Sequence, residues 1–204
     1  MILITLITPT DAIRAERLMD CVHWLGQANH ILLAHTADVH PEQREKTRIA
    51  AEVAGKSVDI LQVDTIQGQT KIQQQNSAFR QIARHVNTCY REPFLWLEPC
   101  CVPLKKGWLD QIQEAYEQQP RRYMGAYMQG KTQRFLSRVA VYPHDAYSDL
   151  ESACATPNPF NRVVEILPRA TNSQLFRIGE WADGMNLGDA VLLDGDKSGA
   201  LIEQ

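Results

Sequence analysis

The segment FLWLEPCC, residues Phe94 to Cys101, decides the fold of this chain. Its four apolar residues, Phe94–Leu97, have the length and character of a strand buried inside a sheet. Glu98 and Pro99 end the strand with a carboxylate and a residue that interrupts strand pairing. A buried strand that ends in an acidic turn is typical of parallel sheets, whose ligands bind beyond the carboxyl ends of the strands.

Strands and helices alternate on both sides of this segment. Apolar runs predict strands at Ile2–Ile7, His30–Ala34, Val58–Val63, Phe94–Leu97, Tyr123–Met128 and Phe135–Tyr142. Helical spacing predicts helices from the N-cap Asp11 to Gly26, from Pro41 to Gly55, over Ile72–Val86 and over Trp108–Tyr116. The order implies an α/β fold class, a single domain with a Rossmann-like, mainly parallel sheet flanked by helices. Two later strands make a mixed edge, and an irregular C-terminal tail follows.

The composition excludes several classes of protein. A chain of 204 residues with 44% hydrophobic and 22% charged residues is neither disordered, collagenous nor a coiled coil. It has no apolar run of about 18 residues, so we expect no membrane span, and its apolar start lacks the basic region of a signal peptide. Five cysteines without a CxxC pair predict a reducing, cytoplasmic location.

The residues that follow the predicted strands are the candidate site. Thr8, Thr10 and Asp11 follow the first strand, Asp64 the third and Glu98 the fourth. Glu98 could bind a hard divalent cation or accept a proton, or it could cap the turn that Pro99 begins. The vicinal cysteines Cys100 and Cys101 are interpreted as small buried apolar residues rather than as ligands of a soft metal.

The tail VLLDGDKSGALI, residues 191–202, is a second candidate. Asp194 supplies carboxylate oxygens and Lys197 a positive charge, and the glycines allow backbone amides to approach a phosphate. The alternative is an Asp-Gly turn between two short apolar segments. The spacing of an EF-hand calcium loop is missing.

These segments resemble GT-A glycosyltransferases. Residues 94–110, FLWLEPCCVPLKKGWLD, resemble their metal-site segment, in which a strand ends in an acidic pair before an apolar-Pro-Leu turn and a Gly-Trp-Leu helix start. Lys71 with Asn76–Phe79 resembles the helix that precedes the acidic pair. Residues 193–202 resemble a C-terminal His-Gly-x-Lys segment. The Glu-Pro variant is similar to that of small, often phage-borne, glycosyltransferase-like proteins.

The resemblance implies a UDP- or GDP-sugar donor bound mainly by residues 1–104, with the acceptor side and the C-terminal metal segment in 105–204. Base, ribose and phosphates would contact Thr8, Thr10, Asp11, Asp64, Lys71, Asn76 and Lys197. Mn²⁺ or Mg²⁺ would be bound by Glu98, Cys100 and Asp194. The expected catalytic residues are Glu98, Lys197 and Asp145, the last chosen, like Asp149 and Asp183, only from its place in the later half.

The sequence departs from the family pattern at two positions. Cys100 stands where the second acid is expected, and a thiol is a poor ligand for Mg²⁺. Asp194 stands where the histidine is expected and could restore the lost carboxylate. The predicted function is therefore a metal-assisted hexosyl- or pentosyltransferase. The alternatives are a transferase that works without a metal and a catalytically decayed protein that binds sugar nucleotides or DNA.

The charge distribution suggests an acceptor. The stretch Lys105–Arg138 holds seven basic and three acidic residues, a charge of +4 within a chain of net charge −3. With Tyr123, Tyr127 and Phe135 it could face DNA that carries a hydroxymethylated base, which would have to leave the duplex. Ordinary solvated charges are the alternative, and a saccharide or protein acceptor stays open. We expect a monomer or dimer in the cytoplasm, that of the host if the chain is phage-encoded.

Overall fold

The computed structural model describes residues 1–65, 70–129, 134–149, 169–178 and 190–194, with only the backbone at positions 71, 72, 129, 193 and 194. The strands are β1 (Ile2–Ile7), β2 (His30–Thr36), β3 (Val58–Val63), β4 (Phe94–Leu97), β5 (Val102–Pro103), β6 (Tyr123–Gln129), β7 (Arg134–Tyr142), β8 (Ala170–Asn172), β9 (Phe176–Ile178) and β10 (Leu192–Asp194). The helices are α1 (Ala12–Leu25), α2 (Pro41–Ala54), α3 (Lys71–Cys89) and α4 (Trp108–Gln118).

Seven strands form one large sheet in the order β3-β2-β1-β4-β7-β6-β8. β1, β2, β3 and β4 run parallel, whereas β7 is antiparallel to both β4 and β6. The prediction of a mainly parallel sheet with a mixed edge is confirmed. All residues of β1 and β4 are buried, because these strands lie in the middle of the sheet and are covered on both faces.

Helices cover the two faces of the sheet and divide the core. The apolar sides of α1, α2 and α4 pack on one face, with Trp108 as the largest buried side chain. α3 packs on the other face, where Phe79, Phe94 and Tyr142 form an aromatic group with ring centroids 5.0–6.2 Å apart. All four predicted helices are present.

A second, small sheet was not predicted. β5, β10 and β9 form it, with β10 antiparallel to β5 and parallel to β9. Strands of two or three residues carry no measurable periodicity, and their partners lie far away in the chain. Part of what the sequence indicates as an irregular tail is therefore paired.

None of the helices in the described part of the chain combines the length and the apolar character that a bilayer span requires.

β6 and β7 approach each other closely at Gly125 of β6. A Cβ atom there would lie 2.8 Å from the Ala140 Cβ of β7 and 3.2 Å from the Leu136 side chain. We expect Gly125→Ala to destabilise the protein by about 1–3 kcal/mol, because an overpacked site must displace its neighbours. Urea denaturation measures the effect. The double variant Gly125→Ala/Ala140→Gly should regain part of the loss; if it does not, the contact with Ala140 is not the cause.

Candidate functional site

The carboxyl ends of the four parallel strands meet at one edge of the large sheet. The strands end at Ile7, Thr36, Val63 and Leu97. We call this the ligand edge, because ligands of open α/β sheets bind beyond the carboxyl ends of the strands. The predicted residues Thr8–Asp11, Asp64 and Glu98 follow three of these ends, so the fold brings them to the same edge.

The three predicted residues after β1 form a hydrogen-bonded loop. The Thr8 hydroxyl donates to Asp11 Oδ2 at 2.7 Å, and Thr8 Oγ1 lies 3.0 Å from Thr10 Oγ1. Asp11 is the N-cap residue of α1 as predicted, but among the described residues its carboxylate accepts from no helix amide. The reason is the backbone of Asp11, which is in the helical region (φ −115°, ψ −3°). An N-cap residue turns its side chain onto the helix amides when its backbone is extended.

Among the described residues, the contacts of Asp64 are made by its backbone and not by its carboxylate. Gln81 of α3 accepts from the Asp64 N–H and donates to the Asp64 carbonyl, both at 3.0 Å. The Asp64 residue itself is exposed. Gln81 was missed at the level of sequence, because a glutamine beside the apolar side of a helix carries no distinguishing pattern.

The N-terminus of α3 lies at the ligand edge, because α3 begins after the end of β3 and leads to the start of β4. Thr70 Oγ1 accepts from the Gln73 N–H at 3.3 Å and Gln73 Oε1 accepts from the Thr70 N–H at 2.8 Å, a capping box. Lys71 is the first residue of the helix, and its side chain lies outside the described atoms. Asn76 is buried one turn later.

Glu98 does not stand alone at the end of β4. The Trp96 indole N–H donates to Glu98 Oε1 at 3.1 Å, and Arg138 Nε lies 3.6 Å from the same oxygen. Arg138 reaches it because Trp96 pairs with Ala140 in the antiparallel β4–β7 ladder, so Arg138 lies level with Glu98. Arg138 Nη1 also donates to Gln75 Oε1 of α3 at 2.9 Å.

The C-terminal segment returns to the turn after Glu98. Leu193 pairs with Val102 and Leu192 with Pro103, and the Leu104 N–H donates to the Val191 carbonyl at 3.0 Å. Continued by one residue, this register brings the backbone of Asp194 opposite Cys101. The Asp194 side chain and the whole of Lys197 lie outside the described residues.

The described residues at this edge do not fit a divalent-cation site. Within the described part of the chain, no group of three or more His, Cys, Asp or Glu side chains could hold a metal ion. Glu98 Oε1 already contacts an indole N–H and a guanidinium, which repels a cation. Cys100, half-buried beside it, is a soft ligand where Mg²⁺ or Mn²⁺ prefers oxygen.

Asp145 lies at the opposite edge of the sheet. It follows the end of β7, and this end is level with the start of β4, where Phe94 pairs with Tyr142. There Arg122 forms ion pairs with Asp145 and with Asp149. The structure therefore separates Asp145 from Glu98, because the antiparallel direction of β7 carries its end away from the ligand edge.

Arg122, Tyr123, Asp145 and Asp149, which we call the far-edge cluster, form an electrostatic network. Burial opposes the ionisation of Asp145, but the hydrogen bond and the charge of Arg122 outweigh it and hold the pKa of Asp145 below its ordinary value. The Tyr123 hydroxyl donates to Asp149 Oδ2 at 3.0 Å, and burial with the Asp149 charge raises the pKa of Tyr123. These contacts join β6 to the turn after β7.

The basic stretch Lys105–Arg138 does not form one surface in the described residues. Arg121 donates to the Ala170 carbonyl and Arg122 pairs with Asp145, both at the far edge. Lys105 and Lys106 are exposed before α4, next to the end of α1, since the Gly107 N–H donates to the Leu25 carbonyl. Arg138 alone among these positions has a contact with Glu98 in the described part of the chain.

A pocket of about 280 Å³ lies between α2 and the ends of β1 and β2. Its wall combines apolar residues with polar ones, and among the latter are His35 and Arg44. Arg44 Nε is buried and has no hydrogen-bond partner within the described residues. Ile7, also in the wall, is the residue next to Thr8, so the pocket adjoins the loop after β1.

Solved structures share this fold. A galactosyltransferase, LgtC, in complex with donor and acceptor sugar analogues, is similar with a TM-score of 0.61 and 7% identity, over 96% of this chain and 87% of that one. The glycosyltransferase GlyE of Streptococcus pneumoniae is similar with a TM-score of 0.60 and 12% identity, over 85% of this chain. The chain spans less than half of GlyE, 46%.

A cytidylyltransferase of Leptospira borgpetersenii is similar with a TM-score of 0.50 and 11% identity, over 82% of this chain and 68% of that one. No protein-family model matches the sequence, and no curated protein sequence is significantly similar to it. At these identities the likeness is one of fold, and the fold is of the GT-A type.

The far-edge cluster makes a prediction about stability. Asp145→Asn removes the charge that faces Arg122 and should lower the free energy of unfolding by up to about 1 kcal/mol at pH 7. Because the folded pKa of Asp145 is lowered, this contribution is present above the unfolded pKa of about 4 and is lost as the pH falls through the folded pKa. Urea denaturation at pH 7 and pH 3 measures it. The matched variant Asp20→Asn, exposed on α1, should show no such difference; equal effects of the two variants would contradict the assignment.

Proposed function

We propose that the protein is a glycosyltransferase that takes a sugar from a UDP- or GDP-sugar and passes it to an acceptor hydroxyl. One observation carries the proposal: in a GT-A-type fold, the Thr8–Asp11 loop, Asp64, the N-terminus of α3 and the Glu98–Arg138 pair come to the same sheet edge. Carboxylates can accept hydrogen bonds from the ribose hydroxyls, and positive groups can bind the phosphates. This edge is therefore complementary to a sugar nucleotide.

The nucleoside half of the donor is assigned to the side of β1 and β2. The pocket beside Ile7 has room for one heterocyclic base, at the lower end of the sizes of ligand pockets. Asp11 and the exposed Asp64 would accept from ribose hydroxyls, with Thr8 holding the Asp11 carboxylate in place. The diphosphate would lie toward the N-terminus of α3, whose dipole favours negative charge, near Lys71 and Asn76.

The reaction breaks the bond between the sugar C1 and the β-phosphate oxygen. Its electron pair stays on that oxygen, so a nucleoside diphosphate leaves with an added negative charge. The acceptor oxygen forms the new bond to C1 and gives up its proton to solvent. Positive groups fixed at the ligand edge lower the barrier, because they stabilise the charge where it develops.

A divalent cation would act as a Lewis acid on the leaving diphosphate. The sequence predicts that Glu98, Cys100 and Asp194 bind the ion. It predicts that Lys197 contacts the diphosphate. The described residues do not fit such an ion.

Donor cleavage tests the proposal. Purified protein incubated with UDP-glucose, UDP-galactose and GDP-mannose, each in EDTA and in Mn²⁺, should release nucleoside diphosphate from at least one donor, measured by a coupled assay. Glu98→Gln should lower the release at least tenfold, because it removes the carboxylate that faces and orients the Arg138 guanidinium. Glu114→Gln, an exposed position on α4, is the control and should leave release unchanged. No release together with no nucleotide binding by calorimetry would refute the proposal.

A sugar-nucleotide-binding protein without catalysis is the second candidate. The observation that favours it is Cys100 at the position of the expected second acid, half-buried beside Glu98. Binding of the same nucleotides without release, and release gained by Cys100→Asp in Mn²⁺, would establish this candidate instead of the first.

DNA with hydroxymethylated bases is one acceptor that the proposal includes. We expect a gain of one sugar mass on 5-hydroxymethyl-2′-deoxycytidine after digestion of the treated DNA to nucleosides. Unmodified DNA of the same sequence is the control. No mass gain, with equal and steeply salt-dependent binding to both DNAs, would exclude this acceptor and leave saccharides and proteins.

A further inference from the structure

Four side chains from three parts of the chain form one connected network at the ligand edge. Trp96 donates to Glu98, Glu98 faces Arg138 and Arg138 donates to Gln75, over 3.1, 3.6 and 2.9 Å. They come from β4 and its turn, from β7 and from the second turn of α3. The network therefore spans the end of the central strand and the start of the helix that follows β3.

The network holds one guanidinium, that of Arg138, in a fixed orientation. A guanidinium that faces a carboxylate and donates to an amide oxygen is oriented before any ligand arrives, so less freedom is lost on binding. Glu98 and Arg138 are about one-fifth and one-quarter exposed, so the pair is neither sealed in the core nor loosely solvated. A planar guanidinium matches the paired oxygens of a phosphate.

A second observation indicates that the same place would bind a negatively charged ligand. Gln75, which Arg138 contacts, belongs to α3, and the N-terminus of α3 is at the ligand edge. The positive end of the helix dipole and the guanidinium therefore point to the same kind of ligand. A divalent cation between them would need several carboxylates, whereas the described network holds one, that of Glu98.

We propose that Arg138 binds the diphosphate of the nucleotide-sugar donor in place of a divalent cation, with Glu98 and Gln75 as positioning residues. The inference rests on the proposed function and names the group that meets the leaving charge. Arg138 stabilises the oxygen of the β-phosphate as the bond to C1 breaks and the electron pair moves to that oxygen. Glu98 acts through Arg138 and needs no contact with the donor.

The test separates the contribution of the diphosphate to binding from that of the nucleoside. Calorimetry in EDTA compares UDP with uridine, and GDP with guanosine, on wild type, Arg138→Gln, Arg138→Lys and Glu98→Gln. Arg84→Gln, an exposed arginine of α3, is the matched control for loss of one positive charge. Circular dichroism and thermal unfolding confirm that each variant is folded.

We expect wild type to bind the diphosphate at least tenfold more tightly than the nucleoside in EDTA. Arg138→Gln should lose this preference and keep its nucleoside affinity within about twofold, and Arg138→Lys should restore part of it. Glu98→Gln should reduce the preference less than Arg138→Gln does. Arg84→Gln should behave as wild type.

Two results would overturn the inference and leave the proposed function standing. One is an unchanged diphosphate preference in Arg138→Gln. The other is a preference that disappears in EDTA and returns with Mn²⁺, which would assign the site to a metal. Absence of binding to any of these nucleotides by wild type, in EDTA and in Mn²⁺, would instead refute the proposed function and this inference with it.

Discussion

The burial of β1 and β4 is the constraint on which the rest of the structure depends. All residues of both strands are buried, since each strand has a neighbouring strand on either side and packed side chains on both faces. A charged group inside such a strand would lose its hydration without compensation. Polar chemistry is therefore confined to the residues that follow the strands, and the parallel arrangement collects those residues at one edge.

The parts of the fold that depend on local pattern could be predicted from the sequence. A run such as Ile2–Ile7 is apolar throughout because both of its faces are covered, and the spacing of Phe79, Ile82 and Val86 is that of a helix packed on a sheet. The pairing of β5 with β10 could not be predicted, because two short segments from distant parts of the chain supply it. Composition and periodicity do not encode such a contact.

The residues of the candidate site also divide into those that the sequence could place and those that it could not. Thr8, Asp64 and Glu98 could be placed at one edge because the ends of parallel strands share it. Asp145 was proposed only from its place in the later half of the chain, and its position at the far edge could not be predicted, since the direction of β7 is a property of the sheet and not of the residues 134–142. The same antiparallel ladder brings Arg138 level with Glu98, a contact that depends on register. The residues missed, Arg138 and Gln81, make contacts that depend on strand register or on helix packing between separate segments, and not on local pattern.

The small sheet of β5, β10 and β9 has a consequence for the order in which the molecule is made. β5 leaves the ribosome soon after β4, whereas β9 and β10 emerge only after the whole of the large sheet. A nascent chain can pair β1, β2, β3 and β4 while β5 still lacks its neighbour, and distant pairing of this kind forms slowly. The turn that carries Glu98 therefore gains its last strand neighbours only after β10 has left the ribosome, later than every strand of the large sheet.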